Sequence, residues 1–334
     1  MASDILSDVL RSVRLRGALF FFVNGHRGWA AEAPAAREIA SLAMPGAEHV
    51  MEYHMVTEGQ CWAAIVGENP VRLKAGDVVL FPHGDPHVLS SAPGMRAPVA
   101  AKEYLGHAGR PPFSVRLDGP MPAREGDPGE TTIVCGFLGC DLRPFNPLIA
   151  SLPRVLHLAA RDEQGWSALF MRQAVIESHG DRPGSQAVLE RMSEMMFVDA
   201  MRQYVESLPA ESAGWLAGLR DRFVGRALAL IHEDPAHDWS VEALGQRVGL
   251  SRSALHERFA QMIGQAPMQY LANWRMQVAA TLLRETGAPV AAIAQEVGYD
   301  SEAAFARAFK RAVGKPPATW RRERLAPPRE PVSA

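Results

Sequence analysis

The stretch "LSRSALHERFAQMIGQAPMQY" (250–270) occurs a second time, in altered residues, as "DSEAAFARAFKRAVGKPPATW" (300–320). At a constant offset of 50, Ser251 meets Ser301, Leu255 meets Phe305, Phe259 meets Phe309, Gly264 meets Gly314, Pro267 meets Pro317 and Tyr270 meets Trp320. Just upstream, "QRVG" (246–249) and "QEVG" (295–298) match at an offset of 49, so the second copy carries one extra turn residue. Cap, core, stop and restart recur in the same order, which means one supersecondary unit built twice.

Each copy has the grammar of a helix-turn-helix. Ser240 is a natural N-cap for "VEALGQRV", because its hydroxyl accepts a bond from an early helical N–H. The chain then turns at "GL", and Ser251 caps a second helix that stops at Gly264. Leu255, Phe259 and Met262 fall at i, i+4 and i+7 and form an inward stripe, with Phe305, Phe309 and Val313 as their counterparts. Between the copies, "PMQYLANWRMQVAATLLRE" (267–285) reads as one rigid helix. Such a connector can hold two recognition helices in successive major grooves on one face of DNA, about 34 Å apart. A single copy could be an ordinary packed bundle. Two copies matched at every punctuation point favour duplex DNA as the partner.

Charge agrees with this reading. The whole chain carries a net charge of −2 at neutral pH. Between Trp239 and Leu325, however, 12 Lys/Arg stand against 7 Asp/Glu, while the remainder carries 23 against 30. A basic segment on an acidic body suits a polyanion-facing end. The 334 residues suffice for two or three domains. Three cysteines (Cys61, Cys135, Cys140) are too few for a disulfide scaffold, and the N-terminus has no basic n-region before its apolar run. No uninterrupted apolar run is long enough for a membrane span. A cytoplasmic protein with no membrane partner is expected.

Upstream, residues 1–150 read as β-rich, with short apolar runs such as "WAAIV" (62–66) and "VVLF" (78–81) separated by "GENP" and "KAGD" turns. The Pro/Gly-rich stretch 106–130 reads as a long loop. From about residue 150 the period becomes helical. In 185–208, Val188, Leu189, Met192, Met195, Met196, Val198 and Met201 lie on roughly one side of a 3.6-residue period. That stripe either packs on the β-rich part or pairs two helices across a dimer, since methionine suits adaptable interfaces.

Residues 220–325 resemble the DNA-binding domain of the AraC/XylS family of transcription regulators, through "VGLSRSALHERFAQMIGQAPMQYL" and "VGYDSEAAFARAFKRAVGKPPATWR". Farther upstream, "LRGALFFF", "HMVTEGQCWAAI", "GDVVLFPHGDPHVLSS" (76–91) and "IVCGFLGCDL…NPLIASLPRVLHL" resemble the cupin sensor joined to one branch of that family. The resemblance implies a multidomain α and β chain. A cupin-like β-barrel spans 1–150, a helical linker or dimerisation region 151–235, an all-α double helix-turn-helix 236–326 and a disordered tail 327–334. It also implies a homodimer that binds double-stranded DNA under control of a small-molecule effector, and that meets RNA polymerase if it activates. Base-contacting positions fall on Ser253, His256 and Glu257 in the first copy and on Glu302, Ala303 and Arg307 in the second. Arg307 can bond guanine O6 and N7 together. Arg252 and the helix N-termini near Ser240 and Ser301 suit phosphate.

In "GDVVLFPHGDPHVLSS", Gly76, Pro82, Gly84 and His87 have the spacing of the second cupin half-motif. Cupin metal sites draw two histidines and a glutamate from the first half-motif, and the paired histidines expected before Glu52 are missing here. His54 follows Glu52 by two residues and so shares its strand face. Glu52, His54 and His87 could therefore converge on a divalent ion such as Zn²⁺, with His83 as a fourth candidate. The alternative is a cupin whose histidines only hydrogen-bond. No acid–base or nucleophile set accompanies them, so a sensor is expected and an enzyme is not; the competing view is a cupin metalloenzyme with a DNA-binding appendage. Oxidant sensing through Cys61, Cys135 or Cys140 needs an accessible thiolate. Cys135 and Cys140, five residues apart, would need a turn at Gly136 or Gly139 to approach within disulfide range.

Overall fold

The computed structural model describes residues 4–26, 28–99, 112–119, 130–160, 169–170, 173–174, 176–177, 182–209 and 211–325. Of the expected 106–130 loop, residues 112–119 are described and carry a strand, Phe113–Asp118, that pairs in parallel with the strand Arg16–His26. The rest of that loop apart from Glu130, together with the 327–334 tail, lies outside the described residues. The chain divides into two compact units, one formed by Leu15–Asp141 with Leu152–Glu206, the other by Met1–Arg14, Leu142–Ser151 and Ser207–Ala334.

The first unit is built on two sheets. Strands β1 (Arg16–His26), β3 (His49–Glu58), β6 (Val78–Phe81), β8 (Phe113–Asp118), β9 (Thr131–Cys140) and β10 (Leu156–Leu158) form a six-stranded sheet in the order β10-β6-β3-β9-β1-β8. β2 (Ala30–Ala33), β4 (Gln60–Ile65), β5 (Val71–Lys74) and β7 (His87–Ser90) form a four-stranded sheet in the order β2-β7-β4-β5. Among the described residues the sheets share an apolar core and are not joined into a continuously hydrogen-bonded barrel. Val56, Val79, Phe81 and Ile133 enter that core from the larger sheet, and Cys61, Ala63, Ile65 and Leu73 from the smaller. Alternation sets which residues enter: along β4, Cys61, Ala63 and Ile65 are buried and the residues between them are not.

The helix Ile5–Ser12 is α1, Ala36–Ala43 is α2, Pro147–Ala150 is α3 and Ser185–Ser207 is α4. α4 belongs to the sheet unit and packs closely on it. A Cβ on Gly17 would stand 2.5 Å from the Ser193 Cβ. Tyr53, fully buried in β3, shares a 2.8 Å hydrogen bond with the Ser193 hydroxyl. Met192, Met196 and Met201 of the methionine stripe are buried, whereas Val188 and Met195 are 40% and 52% exposed. The stripe is thus divided between two faces.

The second unit is helical, with α5 (Trp215–Arg220), α6 (Val224–Glu233), α7 (Val241–Val248), α8 (Arg252–Ile263), α9 (Pro267–Glu285), α10 (Val290–Glu296), α11 (Glu302–Val313) and α12 (Pro317–Leu325). The expected caps form. Ser240, Ser251 and Ser301 accept from Ala243, Ala254 and Ala304 N–H groups. Gly249, Gly264 and Gly314 end α7, α8 and α11 in the left-handed region, where a side chain would be strained. Leu255, Phe259, Phe305 and Phe309 are wholly buried. At 19 residues, α9 is about 28 Å long.

Two segments that precede and follow the sheet strands also lie in this unit. The Gln277 side chain on α9, 1% exposed, donates to the Ser12 carbonyl at 2.9 Å and accepts from the Phe145 N–H at 3.0 Å. His232 stacks on Trp274 at 3.9 Å between centroids and shares a 2.9 Å bond with the Tyr270 hydroxyl. Residues 1–14 and 142–150, expected with the sensor, and Ser151, expected at the start of the linker region, cluster with the helical unit.

Candidate effector pocket and DNA-contact face

Glu52 and His54 project from the same face of β3, two residues apart, as strand parity requires. His87 opens β7, where it lies opposite Ile65 of β4 and Ala33 of β2. The Gly84 turn delivers it: a Cβ there would crowd Ala36 and the Val50 carbonyl, and its φ of +67° suits glycine. The side chains of Glu52, His54 and His87 are all buried, and one potential ligand atom from each lies within 4.8 Å of the others.

The hydrogen bonds fix the tautomers. The Asp85 carbonyl can only accept, so His87 Nδ1–H donates to it at 2.9 Å and Nε2 carries the lone pair. His54 Nε2–H then donates to His87 Nε2 at 2.7 Å. His54 Nδ1 is left as a buried acceptor without a partner, and Glu52 Oε1 is also unpartnered. Phe81 stacks on the His87 ring at 3.8 Å and holds its plane. Burial pushes the Glu52 carboxyl up to about 8. It also lowers both imidazoles, His87 to about 4 and His54 well below its ordinary range with help from the neighbouring His87.

This donor set fits a divalent cation. It supplies two neutral imidazoles and a carboxylate, and His87 already has the outer-shell carbonyl bond typical of a ligating histidine. The two orphaned polar atoms are what a ligand or ion would satisfy. His83 stands apart, bonded to the Leu152 carbonyl at 3.0 Å. The cluster forms one end of a cavity of about 90 Å³, whose other walls include Phe21, Val23, Trp29, Leu117 and Phe137. Trp29 was not singled out in the sequence, yet its indole N–H is buried there without a partner. The chemistry is therefore a mostly apolar chamber with the Glu52–His54–His87 cluster and the Arg96-paired Glu32 as its charged and polar lining.

The cysteines are placed differently from what thiolate chemistry needs. All three are free and buried. Burial pushes Cys61 up to about 12 and Cys135 well above the ordinary thiol range. β9 runs unbroken from Thr131 to Cys140, with no turn at Gly136 or Gly139 to bring Cys135 to Cys140. Cys135 instead lines the chamber.

On the helical unit, Ser253, His256 and Glu257 are exposed on α8, and Glu302, Ala303 and Arg307 on α11. Ser301 is the exposed cap of α11, and Arg252 pairs with Glu242 at 3.0 Å on the surface. Several other arginines face inward. Arg275 donates to the carbonyls of Pro235, His237 and Gly298, and Arg321 to those of Leu283 and Ala288. These two tie turns to helices, a role that counting charges in the sequence could not distinguish from DNA contact.

Comparison with known proteins agrees with both halves. A Cupin family model matches residues 4–206 and a Helix-turn-helix domain model matches 244–323. A protein of Streptomyces lividans described as an AraC-like transcription regulator is 32% identical over 97% of this chain and 100% of its own length. A Streptomyces antibioticus protein of the same description is 31% identical over 96% and 98%. The chain belongs to the AraC-like transcription regulators. It is a DNA-binding regulator with an N-terminal cupin sensor domain and a C-terminal helix-turn-helix domain. Among the described residues, no helix is long and apolar enough to cross a membrane.

Proposed function

We propose that the cupin chamber is the effector site, that Glu52, His54 and His87 hold a divalent ion such as zinc at its polar end, and that the ion serves sensing instead of turnover. The observation that carries this reading is the convergence of three buried ligand atoms, two of their side chains bearing an unsatisfied polar atom, on a mostly apolar cavity. When bound, the ion would ionise Glu52 and offer an open position to an effector's polar group. The apolar walls select a small, mostly hydrophobic body. We further assign base contacts to Ser253, His256, Glu257, Glu302, Ala303 and Arg307, and phosphate contacts to Arg252 and the Ser301 helix start. The regulator acts in the cytoplasm as a homodimer and meets RNA polymerase if it activates.

Elemental analysis of purified protein tests the metal. His54→Ala and His87→Ala should each lower zinc affinity by tenfold or more, the order seen even for outer-shell losses. Full occupancy in the double variant would place the metal elsewhere. A wild-type transcriptional response in that variant would remove both histidines from sensing.

A further inference from the structure

The two recognition helices have the same length and caps, but their outward faces are chemically unequal. α8 presents Ser253, His256, Glu257, Ala260 and Gln261. At the same repeat positions α11 presents Ala303, Ala306, Arg307, Lys310 and Arg311. None of the ten is buried, and all lie opposite the stripes of Leu255 with Phe259 and Phe305 with Phe309. Over these positions the first face has one formal negative charge, from Glu257, and the second has three positive charges; with the exposed first residues Arg252 and Glu302 included, a neutral face stands against one of +2.

Hydrogen-bonding capacity is divided the other way. Four of the five α8 side chains can donate to or accept from a base edge, while two of the five on α11 are alanines that can do neither. Nearby cations of the first copy are engaged within the protein. Arg258 is bound to Asp221, and Arg275 to backbone carbonyls. Lys310 and Arg311 are exposed and make no salt bridge among the described residues.

We propose that the repeat divides its labour unequally: α8 reads base sequence with its outward face, whereas α11, beyond its base contact through Arg307, grips the phosphate backbone of duplex DNA through Lys310 and Arg311. This rests on the DNA-contact face assigned above and adds to it two residues and an inequality between the copies. Each phosphate neutralised releases condensed counterions, so such contacts set salt dependence and apply to any sequence. A competing role exists, because both cations lie in the last turn of α11 and favour its negative dipole end. That role would show in stability and not in DNA binding.

The test uses the full chain, a random-sequence duplex and a duplex selected by the protein from a random pool, with affinity followed as salt rises. Lys310→Gln/Arg311→Gln should reduce the log–log salt slope by about 1 to 2 on both duplexes, since each lost phosphate contact removes roughly 0.9. The ratio of selected to random affinity should stay within about twofold, because phosphate contacts carry no sequence information. Lys310→Arg/Arg311→Lys should keep the slope. His256→Ala/Gln261→Ala should do the reverse, keeping the slope and lowering the ratio by about tenfold or more. A lower melting temperature with an unchanged slope in the Gln variant would assign the cations to the helix dipole and overturn the proposal. A collapsed ratio in that variant would make them base readers and overturn it equally. If the unaltered protein bound no duplex at all, the DNA-contact reading would fall with it.

Discussion

Arg307 differs from its two cationic neighbours on α11 in what it can reach. It stands one turn nearer the helix start, the end that enters the major groove in helix-turn-helix proteins, and it is exposed. A guanidinium there can bond guanine O6 and N7 together. Arg307→Ala should therefore cost about 1–3 kcal/mol at one cognate guanine and relax preference at that base pair alone. Binding to a panel of single-base variants of the selected duplex checks this, and an unchanged preference profile would make Arg307 another phosphate contact. At this scale the sequence was informative wherever periodicity is local. Strand parity was enough to put Glu52 and His54 on one face, and helix periodicity separated the exposed α8 positions from Leu255 and Phe259. It was uninformative where a partner is distant along the chain. His54 meets His87 across 33 positions, and Gln277 meets Ser12 across 265. Nothing in the residues beside Trp29 or Arg275 signals an orphaned indole N–H or a clamp on four backbone carbonyls.

Among the elements, the repeated helices were the most legible, because serine caps and glycine stops act within four residues of themselves. The segments 5–12 and 142–151 were not, since their position depends on docking against α9 and not on their own pattern. Gln277 makes that docking specific. It bonds the carbonyl of the last residue of α1 and an N–H in the second segment, and β1 begins at Arg16 just beyond the first while β9 ends at Cys140 just before the other. Gln277→Leu would fill similar space but leave the Ser12 carbonyl and Phe145 N–H without partners. An unsatisfied buried group costs about 1–3 kcal/mol, so a loss of roughly 2–4 kcal/mol is expected in denaturant unfolding. Hydrogen exchange should rise in residues 5–12 and 142–151 before it rises in α8 or α11. Unchanged protection in both segments would mean that apolar contacts, such as that of Phe145 on Tyr270, hold them instead.

For the whole molecule, the question is what covers the apolar side chains that α4 and the described residues before it leave exposed. α4 turns Leu189, Met192, Met196, Phe197, Ala200 and Met201 inward. That leaves Val188 and Met195, seven residues apart and so on one line of the helix, facing out. Leu169 and Ile176, again seven apart, are 57% and 49% exposed. Scattered apolar residues on a surface are ordinary, but two such pairs in one short region suit a symmetric contact with a second copy. A dimer formed there would carry four recognition helices, and tethering raises avidity at repeated half-sites well beyond that of one double unit. Sedimentation of the full chain at micromolar concentration should show a dimer, and Val188→Glu/Met195→Glu should give a folded monomer whose melting no longer depends on protein concentration, because both side chains are exposed in the single chain. On a duplex with two selected half-sites, that variant should lose about 10²-fold in affinity while binding one half-site as before. A monomeric unaltered protein, or a variant that stays dimeric, would put the partner of this face elsewhere.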